Sequence, residues 1–379
     1  MLYDAIVVGS GPGGAIAASV LAGQGKSVLL ADRQAFPRDK VCGDGLPANV
    51  MRLMKQLGID VRASNFEYQR VKALSITGPA GMTLTTHEEA NDLFSMVSRR
   101  FSFDHLLHQH ALKSGAKFEV MHVQGPLLDP SGERVIGVLE RKGRATVEHE
   151  ANVVIAADGA SSTFARTMNV RIAKPETTAI AIRAYGKLKR EMPECVYFYF
   201  LKSLLPGYAW VFPIADGYAN IGVYLDHRTY QDGKHSLPDL LAQFQAELPS
   251  DFAMEVDPAT IQTWSLPLWT DWQPRNAKGV LFVGDAGSFI NAITGGGIYT
   301  AMMTGMYAAQ HVLDLLDGTN CYPSYDMAWR PEIGTSLRNA HLIQKHVASN
   351  AFLFNSILAL TNFPPIKPTL LRTLSGEHY

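Results

Sequence analysis

Residues 3–32 read YDAIVVGSGPGGAIAASVLAGQGKSVLLAD, and this stretch decides the fold. Tyr3–Val8 is a short apolar run closing on Gly9, as a buried strand of a parallel sheet would be. Pro12 to Ala22 is rich in alanine and other small residues, which suits a helix packed closely on a sheet, and Ser27–Ala31 is a second apolar run. Strand, glycine turn, helix and strand make one βαβ unit. Its turn, Gly9-Ser10-Gly11-Pro12-Gly13-Gly14, is a GxGxxG. Gly9 permits the tight turn, Gly11 lets the backbone approach a pyrophosphate, and Gly14 allows close helix–strand packing. The helix N-terminus adds free N–H donors and partial positive charge for phosphates. Asp32 lies 18 residues after Gly14, close to the ~20 at which an acid grips an adenosine ribose.

Working outward, 379 residues suggest two or three domains. Apolar residues at 47% and charged residues at 18% fit a chain with a large core. A formal net charge of −1 provides no basic field for nucleic acid. Cys42, Cys195 and Cys321 form neither a disulfide framework nor a zinc site, and suit a reducing compartment. The N-terminus runs directly into a strand without a signal peptide, and no apolar run reaches the ~18 residues of a spanning helix. The expectation is a cytoplasmic, metal-free enzyme, with peripheral contact to a membrane left open.

Further along, Gly43–Leu57 reads as a loop and a helix, and residues 68–86 as a hairpin turning at Gly78-Pro79 and Gly81. Phe103–Gly115 reads as a helix and Lys117–Val123 as a strand. Val135–Leu139 and Ala145–His149 form a second hairpin, and Val153–Ala157 a separate buried strand. From about 176 to 270 alternating, aromatic-rich runs predict antiparallel sheet. Val280–Val283 is again a buried strand, Ile298–Leu316 a long helix, and the chain after Pro331 is helical, interrupted at Phe363-Pro364-Pro365.

A second glycine motif follows the strand ending at Val283: Gly284-Asp285-Ala286-Gly287, leading through Asn291-Ala292-Ile293-Thr294-Gly295-Gly296-Gly297 into the Ile298 helix. An acid and a glycine run opening a helix make a second anion-facing terminus. Two nucleotide-type sites so far apart in sequence argue for one long ligand, and FAD has that length. Asp285 would bind the ribityl chain, and Gly295 and Gly297 would let backbone N–H groups reach the isoalloxazine. A third motif, Asp158-Gly159, stands at the end of the VVIAA strand; it fits a ligand-facing acid or a plain Asx turn.

These motifs, in this order, resemble the p-hydroxybenzoate hydroxylase-type flavoprotein superfamily, and more specifically the geranylgeranyl reductase family. Phe36-Pro37-Arg38-Asp39-Lys40-Val41-Cys42-Gly43 is similar to its PxxKxCG, Arg100–Asp104 to its RxxFD, Tyr208–Pro213 (YAWVFP) to its YxWxFP, and NAITGGGI to its NPxTGEGI. Leu374–Glu377 is similar to its usual ending. The resemblance implies an α/β fold: a Rossmann-like FAD-binding domain (1–65, 101–175 and 280–330) interleaved with an antiparallel-sheet substrate domain (66–100 and 176–279), plus C-terminal helices (331–379). It implies Ala15 and Asp32 at the adenosine half, with Val123 meeting the adenine through its backbone. Cys42, Gly43 and Gly45 would line the flavin, Arg100 would contact the cofactor, and Asp285, Gly297 and Ile298 would hold the ribityl chain and ring. Two positions depart from the pattern: Gly296 stands where Glu is common, and Ala292 where Pro is usual.

Tyr208, Trp210 and Phe212 share one face of a strand by its period of two, and three aromatics on one face can wall a large apolar ligand or simply fill a sheet core. Cys42 is a candidate reactive thiol or a small buried residue. Lys40 can neutralise flavin or phosphate charge. His105, His108 and His110 read as a solvated helix face, and Glu88, Glu89 and Asp92 as a solvated acidic run. The apolar tail Ala351–Leu371 reads as core packing, a tunnel cover or a membrane contact. The leading expectation is hydride transfer from reduced FAD to an unsaturated bond of a hydrophobic substrate, with electrons from NAD(P)H, ferredoxin or a quinol-linked donor. Its rivals are hydroxylation or halogenation through a flavin hydroperoxide, for which Lys72 would be the marker, and a non-catalytic binding protein of the same fold.

Overall fold

The computed structural model describes residues 2–62, 66–87, 94–170, 177–231, 236–319 and 324–360. Strand β1 (Tyr3–Val8), helix α1 (Pro12–Gly23) and strand β2 (Val28–Asp32) form the expected unit. Helix α2 (Ala48–Gln56), the hairpin β3 (Ala73–Thr77) and β4 (Thr83–His87), and helix α3 (Arg100–Lys113) follow. Next come β5 (Lys117–Val120), β6 (Val123–Leu128), β7 (Val135–Lys142) and β8 (Ala145–Ala156). The chain continues through β9 (Thr178–Leu188), β10 (Cys195–Tyr199), β11 (Tyr208–Ile214), β12 (Tyr218–Leu225) and helix α4 (Leu237–Glu247). It closes with β13 (Gln262–Pro267), β14 (Val280–Phe282), helix α5 (Ile298–Asp317) and helix α6 (Ala351–Leu360).

The first sheet carries the all-parallel run β14-β8-β1-β2-β5, with Asn276–Ala277 added antiparallel at the β14 edge. Its inner strands are apolar on both faces because both are covered: α1, α3 and α5 lie on one, and Val135 and Val138 of β7 with Phe164 pack on the other. Val153–Ala157, expected as a separate strand, is instead the end of β8: the first half of this strand pairs antiparallel with β7, and its second half enters the parallel sheet beside β1. Glu148-His149-Glu150 lies on the solvent-facing ribbon, so its polarity imitates a break.

The second sheet runs from Met254–Val256 through β9, β12, β11, β10, β3 and β4, with β13 also on β9. It is antiparallel except where β10 and β3 run parallel. All seven residues of β11 are buried. Tyr208, Trp210 and Phe212 face one core; Ala209 and Val211 face another, where α4 lays Leu237, Leu240, Leu241 and Phe244 on the sheet. The reading of residues 176–270 as sheet alone missed α4. Its apolar residues recur at helical spacing, and the Ser236 hydroxyl caps it by accepting from the Asp239 N–H.

Helix α1 is buried on nearly every side, consistent with its small residues. It crosses α5 at two glycines: a methyl group added at Gly305 would lie 2.1 Å from the Gly13 carbonyl oxygen. This crossing brings the start of α5 beside the first glycine turn. Among the described residues, no helix is long and apolar enough to cross a membrane. The acidic run Glu88, Glu89 and Asp92, Cys321, the Phe363-Pro364-Pro365 interruption and Leu374–Glu377 lie outside the described residues.

Candidate functional site

The first glycine turn is built from positions that the fold demands and one that it leaves open. Gly9 has φ +103°, and a Cβ there would strike the Ala157 carbonyl at 2.2 Å. A Cβ on Gly14 would lie 1.8 Å from the Gly9 oxygen. By contrast, a Cβ on Gly11 would meet nothing nearer than the Arg38 guanidinium at 3.8 Å, so its bareness leaves room outside the protein backbone. Asp32 ends β2 nearly buried and accepts from the Ser10 and Gln34 N–H groups at 2.8 and 3.0 Å, with Arg38 3.6 Å away. Ala15 lies in the core, its N–H donating to Gly11. Val123 opens β6, half-buried. The strand expected over Lys117–Val123 is thus two strands.

His108 corrects the reading of a solvated histidine face. Its ring is 3% exposed, stacks on Phe36 at 4.3 Å and hydrogen-bonds Ser10 Oγ through Nδ1 at 2.8 Å. Burial, helped by His105, lowers its pKa to about 4, so it is neutral at physiological pH and supports the glycine turn. Asp158 also has a structural role, accepting from the Thr163 and Phe164 N–H groups and capping the short helix Thr163–Thr167.

The second loop meets the first across one cavity of about 260 Å³, which touches Pro12 on one side and Asp285 and Gly295–Ile298 on the other. Neither α1 nor α5 has a side-chain cap at its N-terminus, so both present uncapped backbone donors. Gly295 has φ +63°, and a Cβ there would lie 3.3 Å from the Tyr224 ring. The Tyr208 hydroxyl donates to the Thr294 carbonyl; Tyr224 and Gln344 both donate to Ala292 O, at 2.9 and 2.7 Å. These bonds fix the loop where Pro is replaced by Ala292. Lys40, expected to face cofactor charge, is paired with Asp285 at 2.8 Å, joining the Phe36–Gly45 segment to this loop.

Cys42, Gly43 and Gly45 form the cavity rim against β11. A Cβ on Gly43 would sit 3.4 Å from Trp210 Nε1, and one on Gly45 3.3 Å from the Phe212 ring, so the rim rests directly on the aromatic wall. Tyr208, Trp210 and Phe212 all line the cavity, joined by Phe198, Trp264 and Arg183, which the sequence reading left out. Burial pushes the Cys42 thiol pKa up, against the lowering influence of Arg100. Arg100 grips Asp104 bidentately at 2.6 and 2.7 Å; burial opposes its charge, and Asp104 outweighs that.

Behind the wall lies a buried polar network that the sequence reading also missed. Asp44 Oδ2 accepts from Tyr185 Oη at 2.7 Å and Asn220 Nδ2 at 2.9 Å. Asn220 Nδ2 also donates to Cys42 O at 2.8 Å, and Asn220 Oδ1 accepts from Trp210 Nε1 at 2.9 Å. Burial raises the Asp44 pKa from 3.8 to about 6, opposed by the bonds from Tyr185 and Asn220 and by Arg183 and Arg100. A raised carboxyl pKa means that the folded state holds the proton more tightly than the unfolded chain. Its contribution to stability is therefore greatest below pH 4 and is lost as pH rises through about 6. Asp44→Asn removes this dependence. Relative to wild type, its unfolding free energy by urea titration should rise by about 2–3 kcal/mol between pH 4 and 7; a constant difference would contradict the assignment.

Two uncapped helix termini that meet at one cavity, with an open face at Gly11 and a strand-end acid, Asp32, beside the first turn, fit a flavin-nucleotide-binding oxidoreductase. The chain matches the FAD binding domain family over residues 2–322. It is 30% identical over 334 residues to digeranylgeranylglycerophospholipid reductase 1 of Methanopyrus kandleri, covering 86% of this chain and 84% of that protein. It is 29% identical over 355 residues to digeranylgeranylglycerophospholipid reductase of Methanosphaerula palustris, covering 91% and 86%. A geranylgeranyl bacteriochlorophyll reductase-like structure from Thermoplasma acidophilum superposes with TM-score 0.77 at 24% identity over 98% of this chain and 99% of that one. A flavin-dependent brominase shares the fold at TM-score 0.76 and 20% identity, over 99% and 94%. The chain belongs to the geranylgeranyl reductase family of FAD-dependent oxidoreductases.

Proposed function

We propose that this protein reduces a carbon–carbon double bond of an isoprenoid-like substrate held against the Tyr208–Trp210–Phe212 wall. The observation that carries this reading is the shared cavity: both glycine loops and the aromatic wall open onto the same space, and two relatives that match most of the chain are named digeranylgeranylglycerophospholipid reductases. Bound FAD, reduced by an external donor, supplies hydride-transfer chemistry. The adenosine half would lie toward Asp32 and the ring toward Gly297 and Ile298, with Val123, Ala15 and Arg100 supporting it.

The chain's own groups do the rest. The apolar wall holds the substrate chain and excludes water from the reacting bond. One alkene carbon takes a hydride, so the other must take a proton. The Cys42 thiol, on the cavity rim with its pKa raised by burial, stays protonated near neutral pH and can donate from Sγ.

Anaerobic incubation of the dithionite-reduced holoenzyme with a geranylgeranyl lipid tests the reading. Products heavier by two hydrogens per reduced bond, found by mass spectrometry, support it; unchanged lipid contradicts it. The halogenase alternative places weight on Lys72. That residue is two-thirds exposed and ion-paired with Glu194, away from the cavity. Lys72→Ala should leave lipid reduction within about twofold of wild type, as surface substitutions usually do. Bromide incorporation under oxygen, lost in Lys72→Ala, would overturn the reductase reading.

A further inference from the structure

We propose that Asp44 is a positioning residue for this reaction: through Asn220 it locks the Trp210 indole and the Cys42 carbonyl into the one arrangement that the substrate meets. The proposal rests on the alkene-reductase reading above. Its basis is a donor–acceptor accounting with one solution. An indole N–H can only donate, so Asn220 must turn its oxygen to Trp210 Nε1. That orientation aims both Nδ2 hydrogens away, one at Cys42 O and one at Asp44 Oδ2. Asp44 is the side-chain acceptor that holds the amide together with Cys42 O, and Tyr185 Oη donates to the same Asp44 oxygen from β9.

Every member is buried: Asp44 and Asn220 are 0% exposed, Trp210 5% and Tyr185 9%. Burial makes an unpaired donor costly, so the network favours completion over partial breakage. Steric confinement adds to it. A Cβ on Gly222 would lie 2.1 Å from the Trp210 ring, and Gly43 faces the same indole from the rim, so the ring is held between two bare backbones. The charged groups around Asp44 are Arg183 on β9, itself paired with Asp39, and Arg100 on α3; Arg99 stands over the Tyr185 ring. The network thus ties three separate segments, the Cys42–Gly45 rim, β9 and the β11–β12 hairpin, to the middle aromatic of the substrate wall.

Three substitutions separate positioning from folding. Asp44 has φ +65°, so Asp44→Gly removes the acceptor without backbone strain, while Asp44→Asn keeps a carbonyl oxygen there. Asn220→Ala removes the clamp itself. Each holoenzyme is compared with its own Trp210→Phe counterpart, so that the difference spectrum isolates the Trp210 emission. The affinity of the oxidised holoenzyme for a twenty-carbon polyprenol is read from the flavin absorption change. Asp44→Gly and Asn220→Ala should red-shift the Trp210 emission and weaken polyprenol binding about tenfold or more, a change of about 1.4 kcal/mol. Asp44→Asn should leave both close to wild type. Asp44→Gly with unshifted emission and wild-type affinity would overturn the proposal, as would Asp44→Asn as impaired as Asp44→Gly. If wild type itself takes up no polyprenol, the substrate reading fails, while the emission comparison still decides whether the lock exists.

Discussion

Gly305→Ala is expected to release FAD and destabilise the protein, although helix propensity alone predicts the reverse. In an exposed helix interior, glycine to alanine is favourable by about 0.5–1 kcal/mol. Here the added methyl would meet Gly13 O at 2.1 Å, Gly13 C at 2.9 Å and Gly13 Cα at 3.1 Å. All three are backbone atoms of the first turn of α1, which the Gly14–Gly9 contact pins in place. No side chain can swing aside, so α5 must move. Overpacking of this kind costs about 1–3 kcal/mol or more. The displacement also separates the two helix N-termini proposed to hold one FAD, so FAD affinity should fall about 100-fold, equivalent to about 2.7 kcal/mol. Thermal unfolding and FAD retained through gel filtration measure the two effects. Gly23→Ala, at the end of α1 with nothing within 4 Å of the new methyl, is the control and should be neutral or slightly stabilising. Equal behaviour of the two variants would contradict the crossing as the device that aligns the loops.

Trp210→Ala should have the second large effect. It removes a nearly buried indole from the wall and leaves Asn220 Oδ1 without its donor. A large-to-small change of this kind costs about 3–5 kcal/mol, with a further 1–3 kcal/mol for the stranded acceptor. Because Trp210 is the middle of the three wall aromatics, kcat/KM for lipid reduction should drop by about 100-fold or more. Trp210→Phe restores an apolar ring but not the N–H that the Asn220 lock holds, and should recover part of the binding and part of the stability. Urea unfolding and steady-state kinetics separate these contributions. Unchanged KM and kcat in Trp210→Ala would exclude the wall from substrate contact.

What could be read from the sequence follows a physical divide. Gly9, Gly14 and Asp32 were legible because a tight turn, a close helix–strand approach and a strand-end acid are local demands within one thirty-residue unit. The second glycine loop was legible for the same reason, and the aromatic wall because a strand imposes a period of two. Gly305 was not: a glycine in the middle of a helix is informative only once Gly13 is known to lie against it. Asp44 and Asn220, 176 residues apart, acquire meaning only when the second sheet and the Cys42–Gly45 rim converge. His108 looked solvated because the spacing of His105 and His108 shows a shared face without showing what covers it; Phe36 and the glycine turn do. Helix α4 was hidden inside a stretch whose neighbours alternate, and β8 was cut in two by Glu148 and Glu150, exposed on the ribbon, with His149 between them paired to Glu140.

The central claim is that a single FAD reaches from the Asp32 end of the first turn to the Gly297 loop. Calorimetric titration of cofactor-stripped protein tests it most directly. One equivalent of FAD should bind with a single affinity, be progressively displaced by ADP, and be weakened both by Asp32→Ala and by Gly297→Val. FAD binding that ADP leaves untouched, or that depends on only one of the two loops, would contradict it.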